Sequence, residues 1–250
     1  MLTIHGRRVE DQLYQATRRS LYDAAMPRRY LCLLALLTAL VTACGAQGNE
    51  QDAPPAPPEG ATLLADSATA MRTVTTTRVG IDVQGELPMF PIKAAEGQLT
   101  REGQAKGTAT VERFGQLLEL AFVIVDDKLY LRGPTGGFQE LPAAGAGLVY
   151  DPSVILDPDR GIAAVLASGA AARTETREQV GEVDAYRVQA SFSGQSLSKL
   201  LPGFTQDTTA QVWIAAEGFH LVQARFPTTG GAVTFQFSDF DDRADITAPN

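Results

Sequence analysis

The sequence predicts an α+β domain built on one antiparallel sheet, with a few short helices against one side. Apolar residues alternate at a period of two through most of residues 76–240, Gly- and Asp-containing turn signals separate these runs, and the helical period appears only in brief stretches. The 250 residues are 44% hydrophobic and 20% charged. That balance is globular and excludes a collagen, a wholly disordered chain and a multi-pass membrane protein. A formal charge of −8 excludes a basic nucleic-acid footprint, so no nucleic-acid partner is expected.

The amino-terminal 43 residues read as an address. The apolar run Tyr30–Val41 follows Arg28 and Arg29 and is too short for a spanning helix, which needs about 20 residues. Small residues Val41-Thr42-Ala43 then precede Cys44, a secretory-signal pattern. The segment resembles a bacterial lipobox, which implies cleavage before Cys44 and a diacylglyceryl anchor on its sulfur. The alternative is an ordinary signal with a coincidental cysteine. Met26 starts a conventional signal, so residues 1–25 are expected to be an upstream mis-start. Removal of residues 1–43 takes six arginines and three acids and leaves 15 basic and 26 acidic side chains, a formal −11. Cys32 departs with the signal, so no intramolecular disulfide is expected and a packed core must supply stability.

Residues 44–60 contain Pro54-Pro55 and Pro57-Pro58 and no aliphatic residue larger than alanine, a semi-rigid spacer. Residues 61–250 then read as one domain. A helical pattern at 61–71 buries Leu64, Ala68 and Met71. Strands follow at 79–83, 92–101, 106–114, 117–126 and 129–131, with Asp126-Asp127 as turn residues. Residues 133–149 are a Gly-, Pro- and Ala-rich passage. Asp151-Pro152 and Asp157-Pro158 each predict a helix cap with proline in the first turn, and Ile162, Val165 and Leu166 face a core. Strands at 172–180 and 184–193, a helix at 195–201, and strands at 208–216, 219–227 and 231–240 complete the chain.

Residues 117–125 are apolar on both faces: Leu118, Leu120, Phe122 and Ile124 on one, Ala121, Val123 and Val125 on the other. Such a strand must be covered on both sides or border a cavity. Tyr186, Val188, Ala190 and Phe192 form a second stripe and Val233, Phe235 and Phe237 a third. Plain core packing explains any one of these stripes equally well.

The order of lipobox, Pro-rich tether, helix and strands, then Tyr150-Asp151-Pro152 through Asp157-Pro158-Asp159-Arg160-Gly161-Ile162, then Val212-Trp213-Ile214 and Leu221-Val222-Gln223-Ala224, resembles the LppX/LprAFG family of mycobacterial and actinobacterial lipoproteins. The resemblance covers roughly residues 28–245. It implies a strongly curved antiparallel half-barrel with helices on the concave side enclosing a hydrophobic cavity, similar to the bacterial lipoprotein-carrier fold. It also implies a non-enzymatic carrier on the outer face of the cell membrane, held there through lipidated Cys44. The cargo it implies is an acylated lipid or glycolipid, triacylated in this family, taken across a periplasm-like space and often alongside a major-facilitator exporter. Hydrophobic periodicity nominates Val79, Ile81, Leu120, Phe122, Ile124, Val165, Tyr186, Val188, Ala190, Phe192, Trp213, Phe235 and Phe237 as cavity residues.

Catalytic and metal-binding patterns are weak. His220, the one histidine after Cys44, has no orienting partner that the sequence identifies. Gly194-Gln195-Ser196-Leu197-Ser198 lacks the last glycine of an esterase elbow. Residues 157–161 place glycine one position early for a calcium loop and lack its closing glutamate. Asp239, Asp241, Asp242 and Asp245 read as a solvated tail. No cofactor and no metal are expected. The alternatives to carriage are a structural or signalling envelope lipoprotein with a protein partner and no lipid cargo, and, with less support, a hydrolase using Ser196.

Overall fold

A computed structural model describes residues 56–85, 87, 90–142, 150–228 and 230–249. The expected signal segment, Cys44 and most of the tether lie outside the described residues. The described chain opens with helix α1 (Gly60–Thr73), followed by strands β1 (Thr76–Gln84), β2 (Ile92–Thr100), β3 (Ala105–Arg113), β4 (Gln116–Val125), β5 (Lys128–Arg132) and β6 (Gln139–Pro142). A 3₁₀ helix (Pro152–Leu156) and helix α2 (Ile162–Ala167) lead to β7 (Ala170–Val180) and β8 (Val183–Phe192). Helix α3 (Gly194–Leu200) then precedes β9 (Thr208–Ala215), β10 (Leu221–Thr228) and β11 (Gly231–Ser238).

All eleven strands form one curved, open sheet in the order β6-β5-β4-β3-β2-β1-β11-β10-β9-β8-β7. Every described pairing is antiparallel, and all but one join strands adjacent in sequence. The exception is the central seam, where β1 meets β11 with Val79 opposite Phe237, Ile81 opposite Phe235 and Val83 opposite Val233. Three apolar pairs on one face thus join the two halves of the chain. Two-residue turns close the hairpins: Asp126 and Asp127 hold φ at 51° and 57°, and Phe114 and Gly115 at 54° and 73°. Positive φ at both central positions matches the twist of a tight antiparallel pair.

The connection from β6 to β7 runs from one edge of the sheet to the other and carries the 3₁₀ helix and α2. Helix α1 packs on α2 and on β7–β9, and the 3₁₀ helix touches β2, α2 and α3. Beneath α1–α3 the second half of the sheet is densely filled. Phe226 is fully buried, with its ring edge-on to Phe192, Phe204 and Phe235 at 5.8, 6.2 and 6.4 Å.

Several local expectations need correction. Asp151 does cap as predicted, accepting from Ser153 N–H at 3.0 Å, but the element is a 3₁₀ helix. Asp157 caps no helix. Its Oδ1 accepts from the N–H groups of Asp159 and Arg160 and its Oδ2 from the Arg160 guanidinium, which makes a closed turn; α2 begins only after Gly161. A sixth strand, β6, pairs with β5 inside the passage read as loop. The acidic end is no free tail. Asp241 Oδ1 accepts from Thr75 N–H at 2.6 Å and Thr75 Oγ1 at 2.7 Å, and Asp239 pairs with Arg78 at 2.9 Å. Beyond them Ile246 is buried against Val123 and Val125. The carboxyl-terminal segment is therefore a strap over the outer face of β4, which explains why that strand is apolar on both sides.

The two clasping carboxylates make stability pH-dependent. Hydrogen bonds from the Arg160 side chain hold Asp157 below its ordinary range, and the Thr75 N–H does the same for Asp241. A carboxyl depressed in the folded state stabilises above its unfolded value, near 4, and that contribution disappears as pH falls through the folded value. Asp157→Asn and Asp241→Asn should each lower stability by about 1 kcal/mol at pH 7. Thermal midpoints of variant and parent should draw together as pH falls below about 4 and through the folded values; a gap that does not narrow with acidification would contradict the assignment.

Candidate functional site

The concave side of the first half of the sheet encloses a hollow. It measures about 110 Å³, or about 810 Å³ of atom-free space when its open mouth is counted. Its wall begins with Val79 and Ile81 on β1 and continues through Ile92, Ala95, Gly97 and Leu99 on β2. Ala105, Ala109 and Val111 on β3, then Leu120, Phe122 and Ile124 on β4, extend it to Leu129 and Leu131 on β5. The roof comes from the crossover: Tyr150, Pro152 and Ile155.

Strand register explains why space remains. Ile81, Ala95, Ala109 and Leu120 stand in one row across β1–β4, and Val79, Gly97, Gly107 and Phe122 in the next. Each row has large residues at its ends and small ones at its centre, so the middle of the curved floor lacks the atoms that would fill it. The glycine pair also lets β2 and β3 approach closely: a Cβ on Gly107 would stand 2.1 Å from the Glu96 carbonyl oxygen and 2.6 Å from Gly97 Cα.

The roof is fastened through Tyr150. Its hydroxyl donates to the Leu200 carbonyl at 3.0 Å, and its ring meets Phe90 edge-on at 5.2 Å. Burial pushes the phenol far above its ordinary range, so it stays neutral. The polar demand of the Tyr150 hydroxyl is thus met by α3, and although Glu96 and Gln98 also border the hollow, its exposed lining is predominantly hydrocarbon.

The nominated residues divide into groups. Val79, Ile81, Leu120, Phe122 and Ile124 line the hollow. Val165, Val188, Ala190, Phe192, Phe235 and Phe237 lie in the filled core beneath the helices. Tyr186 is half-buried, with the Arg177 guanidinium 5.3 Å over its ring. Trp213 faces the other side of the sheet with Ala185, Ala215 and Val222, and its Nε1–H donates to Glu178 at 2.6 Å. Phasing from β1 and β4 pointed into the hollow; the floor residues Ala95, Gly97, Ala105 and Ala109 and the roof residues Tyr150, Pro152 and Ile155 were missed. The signal for the floor was present as small residues alternating at a period of two.

Among the described residues, neither residue weighed for hydrolysis is hydrogen-bonded as a nucleophile–base pair requires. Ser196 Oγ accepts from the Ser193 hydroxyl at 2.9 Å at the start of α3. His220 stacks on Phe240, ring centroids 4.5 Å apart. Among the described residues no cluster of three or more His, Cys, Asp or Glu is placed to hold a metal. No described helix is long and apolar enough to cross a membrane.

Comparison with known proteins places this geometry. The LppX_LprAFG lipoprotein family model matches residues 59–246. The chain is 34% identical over 223 residues to a protein of Mycolicibacterium smegmatis described as lipoarabinomannan carrier protein LprG, covering 87% of this chain and 93% of that one. A Mycobacterium leprae protein of the same description is 31% identical, covering 89% and 96%. Among solved structures, LprF from Mycobacterium bovis has a TM-score of 0.69 at 21% identity, covering 76% of this chain and 96% of LprF. LppX from Mycobacterium tuberculosis has a TM-score of 0.58 at 18% identity, covering 74% and 98%.

Proposed function

The chain belongs to the LppX_LprAFG lipoprotein family, and on that premise we propose that it carries acylated lipids or glycolipids with their chains in the β1–β5 hollow. The observation that supports this most is the hollow itself: an almost wholly hydrocarbon lining in a sheet whose other half is packed solid. The LprG relatives, described as lipoarabinomannan carriers, make a large acylated glycolipid the first cargo to test. The reading includes an anchor on Cys44 at the outer face of the cell membrane, no catalytic step, and handover to an exporter.

Energetics suit a carrier. Burying a methylene from water is worth about 0.8 kcal/mol, so three long acyl chains exceed about 30 kcal/mol on that scale. Non-covalent affinities saturate near about 20 kcal/mol. A cargo drawn from a bilayer leaves one hydrocarbon environment for another, so exchange is close to neutral and release stays feasible. At about 110 Å³ the hollow seats a group of roughly benzene size; a full chain occupies the mouth as well or moves the roof.

The test is extraction of the purified full chain into organic solvent with mass spectrometry of what is released. Long-chain lipid in near-stoichiometric amount is expected. A chain repeatedly free of lipid, and unable to take it up from vesicles, overturns carriage and favours the lipoprotein with a protein partner and no cargo.

A further inference from the structure

The β3–β4 turn holds large apolar groups that packing does not account for. Phe114 is 94% exposed and Leu117 67% exposed. Phe114 also sits at φ 54°, a left-handed conformation that strains a bulky side chain; asparagine or glycine would serve the turn better. The Arg113 guanidinium lies 5.5 Å from the Phe114 ring centroid, so the tip presents two apolar side chains beside a cation able to remain at headgroup level. The neighbouring Glu112 carboxylate is already paired with Lys93 at 2.9 Å.

The tip stands at the end of the strands that wall the hollow. Leu118, Leu120, Phe122 and Ile124 form a half-buried apolar stripe along the inner face of β4. Leu120 lines the hollow, as does Val111, which pairs with Leu118 only a few positions from the turn. On the inner face the Arg113–Gln116 pair stands between the turn and this stripe, and Leu117 lies on the other face of β4, so an acyl chain that has passed the tip stays against hydrocarbon from Leu118 inward.

We infer that the β3–β4 tip docks on a lipid bilayer by inserting Phe114 and Leu117, and that acyl chains enter the hollow along β4 from there. A bilayer is the occupant because the stripe behind the tip offers apolar contact and leads to a hydrocarbon cavity. With a formal −11 after residue 43, attraction of anionic headgroups by the whole domain is no substitute for apolar insertion. If Cys44 carries the proposed anchor, the Pro-rich stretch of sequence that follows it is the length of chain that would let the domain reach the surface it touches. The entry route rests on the carrier reading, and the test separates the two.

The full chain carrying Phe114→Trp is mixed with phosphatidylcholine vesicles whose acyl chains are brominated. The natural tryptophan, Trp213, packs on the opposite sheet face, so the unsubstituted chain is the control. Loss of the added emission with a blue shift, without matching loss in the control, is expected. In parallel, Phe114→Asn with Leu117→Gln should slow lipid uptake from donor vesicles about tenfold while leaving the amount held at equilibrium unchanged. No bromine quenching, or quenching with an unchanged uptake rate, overturns the entry route. Shielding of position 114 from aqueous iodide without bromine quenching means that protein covers the tip, and overturns it too. Quenching by a chain that never holds lipid would leave docking standing and remove carriage instead.

Discussion

Ala109→Phe, alone or with Ala95→Leu, will reduce the lipid recovered with the full chain about tenfold and leave its fold intact. Both alanines sit half-buried on the floor of the hollow, opposite one another across β2 and β3. A phenyl ring there takes space that acyl methylenes would occupy. Each displaced methylene returns to water at about 0.8 kcal/mol, and about 1.4 kcal/mol is a factor of ten, so two displaced groups suffice. The substitutions face open space and escape the overpacking penalty of about 1–3 kcal/mol that a filled core imposes. Bulk added at Val188 or Ala190, fully buried under the helices, would incur that penalty and say little about cargo. The measurement is lipid per protein by mass spectrometry beside the thermal midpoint. Unchanged lipid in a folded double variant would remove the hollow as the seat of binding.

The largest loss of stability from a single truncation is expected at Phe226. Its ring meets Phe192, Phe204 and Phe235 edge-on, and each such pair adds to plain burial. Phe226→Ala should cost about 3–5 kcal/mol because three facing rings cannot all collapse into the space left. Denaturant unfolding should show a lower midpoint with an unchanged slope. A loss below about 1 kcal/mol would mean that this half of the sheet is looser than its packing implies.

Much of the fold was legible because hairpins are local. Alternation in β1, β4 and β8, the turn residues between strands, and the helical phase of Leu64, Ala68 and Met71 all act within a few residues. The curvature of the sheet and its cavity came from family resemblance, since no local pattern reports them. The hollow was harder still, because apolar phasing says which way a side chain points and not whether the opposing atoms meet it. Val79 and Phe235 have the same phase, yet one borders open space and the other is buried among rings. The difference lies in what stands beside them: Gly97 and Gly107 extend the row of Val79, whereas Phe235 has Ala224 beside it in register and the rings of Phe226 and Phe237 against its own. Trp213 was misplaced for a related reason. Val212 and Ile214 were the inward residues of a strand buried along both faces, so hydrophobicity alone could not set its phase. The carboxyl-terminal strap joins Asp241 to Thr75 across most of the domain's length, and no nearby spacing announces such a contact.

The seam between β1 and β11 divides the sheet into two walls of unequal compliance. On one side rings and helices interlock, and local opening there must break many contacts at once. On the other, small floor residues and a roof fastened through Tyr150 leave little to oppose outward bending. In the proposed carrier, guests of different girth would be met by yielding of this wall and its roof while the stiff half preserves the shape.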